Sequence, residues 1–417
     1  MLKDEYRAIL PYLTSKLVLY KSQPQHSSTS NPYSIPLFLE DIIETLNMAL
    51  LLWENMQLAR KNCFLIPFLF MCNMKSLSAQ AQLAPALFMF GDSLADVGNN
   101  NHLPLSIEKA DFPHNGIDFP THKPTGRFSN GKNAADFLAE KLGLPSSSPY
   151  LLLMHTQSNN FSSGVSFASG GAGIFDANDQ LLRQSIPMNK QIEYCAAVQE
   201  TIMQQTGQAE ASDFLSKSIF AIVIGSNDIL GYFGSSSNKM KKATPQEFVA
   251  SMVQAIKGQL KKIYDMGARK FVIIGVASVG CSPAQRAKSK TEACNEEANI
   301  WASKYNQGLL SVLQQFKTEL QGFQYSYFNT YDVLLNLIQQ PANYGFKEAK
   351  TACCGLGNLN AQVPCIPISN LCTNRSDHVF WDFYHPTEAA DRLFIDIAFD
   401  GPKQYVFPLN VRELVSS

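Results

Sequence analysis

A serine stands where a hydrophobic run ends, in the stretch Leu87–Asn101, LFMFGDSLADVGNNN. Gly91 stops the run and permits a tight turn, so Ser93 follows a strand directly. We expect Ser93 at the start of a helix, where free N–H groups and the positive end of the helix dipole are close. A serine there can be a nucleophile, but serine is also a common helix N-cap. Taken alone, this stretch favours the cap.

A carboxylate and a histidine lie three residues apart in Phe380–Leu393, FWDFYHPTEAADRL. Asp382 can keep one imidazole nitrogen of His385 protonated and leave the other free to act as a base. Pro386 is placed to start the helix that follows. His378 also has a neighbouring acid, but adjacent side chains point in different directions, so we interpret it as structural.

Two other strand ends carry groups that could bind an anion. The glycine-rich loop in Gly164–Asp176, GVSFASGGAGIFD, lets backbone N–H groups approach an anion closely. It lacks the Lys-Ser/Thr pair of a nucleotide phosphate loop. In Phe220–Leu230, FAIVIGSNDIL, a strand again ends in glycine, and Asn227 offers an uncharged amide donor. A flexible turn and a helix cap are the alternative interpretations of these two stretches.

The elements that must position these groups alternate between strands and helices. The predicted strands are Ala86–Phe90, Val165–Ala168, Phe220–Gly225, Phe271–Val276 and Tyr325–Phe328, and amphipathic helices are predicted at Asn133–Leu142 and Pro245–Met266. Repeated strand–helix order predicts an α/β fold, a three-layer sandwich with a central parallel sheet and helices on both faces. Ligands of such sheets bind beyond the carboxyl ends of the strands. Irregular loops are predicted at residues 105–132 and 345–378.

Composition limits the classes of protein that fit. Of the 417 residues, 45% are hydrophobic and 17% are charged, which indicates a globular chain and excludes a disordered one. The net charge of −1 gives no indication of a nucleic-acid partner. No apolar run reaches the ~18 residues of a membrane-spanning helix. We therefore expect neither a nucleic-acid partner nor a transmembrane segment, and the oligomeric state stays open.

The chain is expected to have three parts. Residues 56–81 have the features of a secretory signal, with a start at Met56, a basic stretch, a short apolar run and a small-x-small site at Ala79–Ala81. Residues 1–55 are interpreted as an upstream extension of doubtful status. Residues 82–417 are expected to form a single domain. This arrangement predicts a secreted, extracellular protein.

Cysteine usage agrees with secretion, because seven cysteines follow residue 81 and four of them fall within twenty residues. The disulfide candidates are Cys281 with Cys294, and Cys353, Cys354, Cys365 and Cys372 in two further bridges. Cys195 is then unpaired. A zinc site is the alternative for the cluster, but the adjacent pair of cysteines does not supply the usual CxxC spacing. Asn160 and Asn374 begin N-x-S sequons and are glycosylation candidates.

Together these stretches resemble the GDSL family of lipases and esterases within the SGNH hydrolases, most closely its plant secreted branch. The resemblance runs from about Ala86 to Leu393 through FGDSLADVGNNN, GRFSNGKNAADFLA, GSND, GCSPAQR and FWDFYHPTEAA, in this order. It implies a flavodoxin-like fold, with Ser93 as nucleophile, Asp382 and His385 as acid and base, and an oxyanion hole of Ser93, Gly171 and Asn227. Ser166 stands where the family usually has Asn, and the register leaves Gly170 as an alternative to Gly171.

The implied reaction is hydrolysis of a carboxylic ester through an acyl-serine intermediate, since Ser93 is a poor nucleophile unless His385 takes its proton. Neither a metal nor a cofactor is expected. The expected partner is a small-molecule or lipid ester, whose acyl length and alcohol part are undefined. An acyltransferase with the same triad and a non-catalytic binding protein on the same fold are the alternatives.

Overall fold

The computed structural model describes residues 82–176, 185–233 and 243–417. The expected extension and signal segment, residues 1–81, lie outside the described residues. Within the described ranges, no helix has the length and the apolar character needed to cross a bilayer.

A mostly parallel sheet forms the centre of the fold. The strands are β1 Leu87–Gly91, β2 Gly164–Ser166, β3 Ile219–Val223, β4 Lys270–Ile274, β5 Gln324–Phe328, β6 Cys354–Gly355, β7 Asn370–Leu371 and β8 Val406–Pro408. Six of them form the central sheet in the order β2-β1-β3-β4-β5-β8. Strands β1 to β5 pair in parallel, so their carboxyl ends meet at one edge, while β8 runs antiparallel to β5. Strands β6 and β7 form a separate antiparallel pair.

Helices surround the sheet in the described part of the chain. They are α1 Ala134–Lys141, α2 Tyr150–His155, α3 Met188–Thr206, α4 Gln208–Lys217, α5 Ser226–Phe233, α6 Pro245–Asp265, α7 Pro283–Arg286, α8 Glu296–Glu319, α9 Thr330–Gln339, α10 Glu388–Asp400 and α11 Val411–Ser416. Side-chain caps fix several of their starts. Asn133 begins α1 and Thr244 begins α6, each in a capping box with the acidic residue three positions later.

Alternate residues of each strand pack into two separate apolar cores. Phe88 and Phe90 of β1 pack with residues of α3, α6 and α8. Leu87 and Met89 of the same strand pack with residues of α1, α9, α10 and α11 on the other face. Because successive side chains of a strand point to opposite faces, a sheet covered on both sides needs apolar residues at every position. The predicted three-layer α/β sandwich is confirmed.

The two outermost strands of the central sheet, β2 and β8, are short. Strand β2 has three residues, and the N–H of Ser166 within it donates to the carbonyl of Ser148 (3.0 Å) in the segment alongside. Strand β8 also has three residues and ends at Pro408, which has no backbone N–H. The five predicted strands are present within a few residues of their expected bounds, whereas β8 and the β6–β7 pair were not predicted.

In the part of the chain that the structure describes, three disulfides lie outside the central sheet. They join Cys281 to Cys294, Cys353 to Cys372 and Cys354 to Cys365. Cys195 of α3 is buried and unpaired, as expected. Two of the bridges pack with the fully buried Trp381 in a small cluster of their own. The cysteine-rich segment is therefore a cross-linked unit attached to the sandwich.

Candidate active site

The turn after β1 presents Ser93 at the carboxyl edge of the sheet. Gly91 has a φ of 154°, and a Cβ built on it would lie 2.4 Å from the backbone oxygen of Val223, so this close approach requires glycine. The expected helix at Ser93 is wrong, because residues 93–95 form a turn. Asp92 accepts the N–H groups of this turn, since its side chain accepts from Leu94 (3.0 Å) and its carbonyl accepts from Ala95 (3.1 Å).

Ser93, His385 and Asp382 form a continuous hydrogen-bonded chain. The Oγ of Ser93 lies 2.7 Å from Nε2 of His385. The Nδ1 of His385 lies 2.8 Å from each carboxylate oxygen of Asp382. Because Nδ1 faces a carboxylate, it carries the proton in the neutral ring, and Nε2 is left as the acceptor that faces the serine hydroxyl. This arrangement can remove the proton from Ser93 during nucleophilic attack.

The electrostatic surroundings of His385 favour the imidazolium. Burial lowers its pKa, but the charge and the hydrogen bond of Asp382 raise it, as do the carboxylates of Asp92 and Glu108, and the net pKa lies above its ordinary value. Burial raises the pKa of Asp92 to about 7, against the N–H of Leu94 and the charge of His385, which lower it. Stabilisation of the imidazolium is the property that a general base needs when it holds the serine proton.

The loop that carries Asp382 and His385 is held by its backbone. The N–H groups of Tyr384 and His385 donate to Oδ1 of Asp382 (2.9 and 2.8 Å), which closes the loop on its own carboxylate. The N–H of Trp381 donates to the carbonyl of His385 (2.8 Å). Helix α10 begins at Glu388 with Thr387 as its N-cap, two residues after the start expected at Pro386.

Gly171 offers a backbone donor on the loop after β2. The N–H of Gly170 is already used, since it donates to Oδ2 of the buried Asp96 (3.0 Å). Gly171 has a φ of 79°, and its N–H, like that of Ser93, meets no acceptor among the described residues. The N–H of Gly171 is therefore available as a donor and that of Gly170 is not; the sequence register had placed Gly171 in this role, with Gly170 as the alternative.

Asn227 lies in the first turn of α5, directly after β3. Its Nδ2 donates to the carbonyl of Ala172 (2.9 Å), which ties the amide to the loop of Gly171. The next residue, Asp228, accepts from the N–H groups of Ile174 (2.9 Å) and Phe175 (3.3 Å) of that loop. Two consecutive side chains of α5 thus fix the loop, and a second amide proton of Asn227 stays available.

Several buried polar residues that the sequence did not single out support these loops. Gln191 of α3 accepts from the N–H of Gly91 (2.9 Å) and donates to its carbonyl (2.8 Å) at the end of β1. Asn100 donates to the carbonyls of Glu108 (2.6 Å) and Gly170 (2.9 Å), joining two loops beside the site. The run of three asparagines, Asn99–Asn101, could have indicated buried side-chain hydrogen bonds near Ser93. No local pattern indicates the contact of Gln191, which lies in helix α3, 100 residues after Gly91.

The other candidate residues take no part in the hydrogen-bonded chain of Ser93, His385 and Asp382. His378 bonds to the adjacent Asp377 (2.8 Å), so the expectation that these two side chains point in different directions is wrong, and the structural role of His378 stays a prediction. Asn160 and Asn374 are exposed, and each Oδ1 accepts from the serine of its own sequon. Ser166 is buried in β2 and its Oγ lies 3.4 Å from the carbonyl of Ala95. Among the described residues, no group of three His, Cys, Asp or Glu side chains is arranged to hold a metal.

Comparison with known proteins shows the family of this chain. Residues 87–397 match the family described as GDSL-like lipase/acylhydrolase, and the chain belongs to this family. A GDSL esterase/lipase of Arabidopsis thaliana is 50% identical over 341 residues, which cover 80% of this chain and 90% of the relative. A second from the same plant is 39% identical over 373 residues, covering 85% and 99%. A third is 38% identical over 317 residues, covering 75% and 88%.

Proposed function

We propose that the protein is a secreted serine esterase that cleaves carboxylic esters through an acyl-serine intermediate. The coarser statement, that it is a carboxylic ester hydrolase, follows from its family and from relatives named as esterases and lipases. The observation that carries the finer proposal is the hydrogen-bonded chain from Ser93 through His385 to Asp382, with heavy-atom distances of 2.7 and 2.8 Å. These distances lie within the range over which a base can take a proton from a nucleophile.

The first half of the reaction forms the acyl-enzyme. Ser93 Oγ attacks the ester carbonyl while its proton passes to Nε2 of His385, and Asp382 stabilises the resulting imidazolium. The tetrahedral intermediate then collapses, the bond to the alcohol oxygen breaks, and His385 returns the proton to the leaving alcohol. The acyl group remains on Ser93.

The second half repeats the same steps with water. His385 takes a proton from a water molecule as its oxygen attacks the acyl carbonyl, and it then returns the proton to Ser93 Oγ when the carboxylic acid leaves. Both halves develop negative charge on the carbonyl oxygen. The N–H groups of Ser93 and Gly171 and the amide of Asn227 are the proposed donors to it, and one such donor is typically worth about 2.7–4 kcal/mol in the transition state.

The proposed secretion rests on the three disulfides, which persist in oxidising compartments, and on the expected signal segment at residues 56–81. Expression from Met56 should suffice for export, with a mature N-terminus near Gln82. N-terminal sequencing of the exported protein tests this. Recovery of residues 1–55 on that protein would contradict it.

A serine-reactive fluorophosphonate tests the nucleophile. We expect the probe to label the wild-type protein at Ser93, and Ser93→Ala to lose both labelling and hydrolysis of an aryl ester while its circular dichroism is unchanged. Ser147→Ala is the matched control, because its buried hydroxyl has no hydrogen-bond partner among the described residues and lies outside the proposed site. Full activity of Ser93→Ala, or labelling at another serine, would refute the proposal.

A further inference from the structure

The segment Gly126–Asn130 is fixed to the loop of the nucleophile on its N-terminal side. Arg127 is buried, and its Nε and Nη2 donate to the two carboxylate oxygens of Asp136 (2.6 and 2.8 Å). Its Nη1 donates to the carbonyl of Val97 (3.3 Å), four residues after Ser93. Bidentate pairing of a guanidinium with a carboxylate fixes direction as well as distance. The backbone is therefore restrained at the residue directly before Phe128.

The same segment is fixed to the loop of the base on its C-terminal side. Asn130 is buried, and its Oδ1 accepts from the N–H of Glu388 (2.8 Å), at the start of the helix that follows His385. Its Nδ2 donates to Asp118 (2.8 Å). Phe128 therefore stands between two buried polar anchors, one attached to each half of the site.

The ring of Phe128 contacts both halves of the site. Its centroid lies 4.9 Å from that of the His385 ring, with the two planes inclined by 32°. A Cβ built on Gly170 would lie 2.6 Å from Cζ and 2.7 Å from Cε2 of Phe128, so the ring also lies directly against the loop that carries Gly171. One half-buried side chain thus packs against the imidazole and against the residue that precedes a proposed oxyanion donor.

One motion of the His385 ring is restrained least by its hydrogen bonds. Bonds at Nδ1 and Nε2 lie in the plane of the imidazole, and together they permit it to rock about the line that joins the two nitrogens. The ring of Phe128, whose centroid lies 4.9 Å from that of the imidazole, opposes this motion. It also covers part of the buried imidazole.

We propose that Phe128 is a positioning residue, which holds the imidazole of His385 in line with Ser93 and holds the loop of Gly171 against the same surface. This inference rests on the proposed acyl-serine mechanism. A displacement of about 1 Å in a catalytic group costs on the order of 10²-fold in rate, so loss of the ring should lower kcat more than it changes KM.

The ring also influences proton affinity. The charged or titratable groups that face His385 are Asp382 at Nδ1 and the carboxylates of Asp92 and Glu108, and all three raise its pKa, whereas burial lowers it. Removal of Phe128 would admit water to the ring, and water weakens both the effect of burial and the effect of the carboxylates. Because the carboxylates outweigh burial, the pH at which activity reaches half its maximum should move downward, toward the ordinary histidine value, in Phe128→Ala.

The test compares Phe128→Ala and Phe128→Leu with Phe119→Ala on a soluble aryl ester between pH 5 and 9. Phe119 is a matched control, because its half-buried ring stacks on Arg127 (4.9 Å) in the same region and does not contact His385. We expect Phe128→Ala to lose about tenfold or more in kcat, with KM changed less than threefold. Its pH midpoint should fall. Phe128→Leu, which keeps bulk against the imidazole, should lie between it and the wild type.

Three results would overturn the inference. They are wild-type kcat in folded Phe128→Ala, an equal loss in Phe119→Ala, and a loss of kcat in both Phe128 variants with no movement of the pH midpoint. Labelling of the wild type by the fluorophosphonate is measured in parallel. Absence of labelling at Ser93 would instead refute the underlying mechanism, so the two failures are distinguishable.

Discussion

The two halves of the site are held in different ways. Ser93, Gly171 and Asn227 follow the parallel strands β1, β2 and β3, and the hydrogen-bonded sheet aligns them at one edge. Asp382 and His385 follow no strand of that sheet. Their loop is attached to the cross-linked segment, because the N–H of Cys354 donates to the carbonyl of Trp381 (2.7 Å).

The third bridge supports the same loop from another direction. Cys281 and Cys294 close the segment that contains α7, and the N–H of Ala284 in that helix donates to the carbonyl of Phe383 (3.0 Å). Every disulfide of the described chain therefore lies on the acid–base side. The comparison indicates that regular sheet pairing positions the nucleophile, whereas the irregular loop of the acid and base is attached to segments closed by covalent cross-links.

The largest single loss of activity is expected in the acid–base half of the site, which contains Asp382 and His385. Asp382→Asn keeps the size of the side chain but removes the charge that stabilises the imidazolium, and an amide can also favour the wrong tautomer of His385. We expect kcat to fall by about 10⁴-fold. Steady-state kinetics and the melting temperature of the same sample check this. A loss below tenfold in a folded variant would show that Asp382 is not the partner of the base.

A smaller loss of activity is expected at Asn227, in the half of the site that follows the strands of the sheet. Asn227→Ala is expected to lower kcat by about 10²–10³-fold with KM little changed, because the amide is used mainly when the carbonyl oxygen becomes an oxyanion. Asn227→Asp should be worse, since a carboxylate would face the developing charge. If Asn227 were only a helix cap, Ala would cost about 1 kcal/mol of stability and leave kcat intact.

Removal of a cross-link should make the half of the site that contains Asp382 and His385 unfold before the half that follows the sheet. Cys353 and Cys372 close a loop of 19 residues, and replacement of both by serine should lower the free energy of unfolding by about 3 kcal/mol. Activity should disappear at a lower urea concentration than the far-ultraviolet signal of the sheet. The control is Cys195→Ala, which alters a buried thiol on a helix of the sandwich. Coincident loss of activity and sheet signal would contradict the comparison.

The smallest expected effect is a shift in pH dependence. His385 must be neutral to act as a base, and its pKa is raised because Asp382, Asp92 and Glu108 outweigh burial. Activity should therefore rise with pH through a midpoint above the ordinary histidine value of about 6.5. Asp382→Asn should move the midpoint downward, since the largest opposing charge is gone. A flat kcat/KM profile from pH 5 to 8 would argue against a histidine base.

Prediction from sequence succeeded for elements that a local pattern of residues specifies. Apolar runs ending in glycine predicted β1 and β3, and helical spacing with capping residues predicted α1 and α6, all close to their observed bounds. The roles of Ser93, Gly171, Asn227, Asp382 and His385 came from the family resemblance and stay predictions.

The failures have physical causes. The helix expected after Ser93 is absent because Asp92 and Asp96 accept the N–H groups of a turn, and a propensity for N-capping does not reveal whether a helix follows. Strand β8 is three residues long, too short for a periodic signal. Phe128 looked like part of an irregular loop, and only tertiary contacts bring its ring to His385.

The short edges of the central sheet also affect how molecules meet one another. An exposed edge strand offers unpaired N–H and carbonyl groups on which a second chain can add a strand, the usual start of aggregation. Here β2 already bonds to Ser148 on its outer side, and β8 provides three residues ending in a proline. Neither edge offers a long template for strand addition. Concentrated protein should therefore resist growth of intermolecular β-structure for as long as the sandwich stays folded.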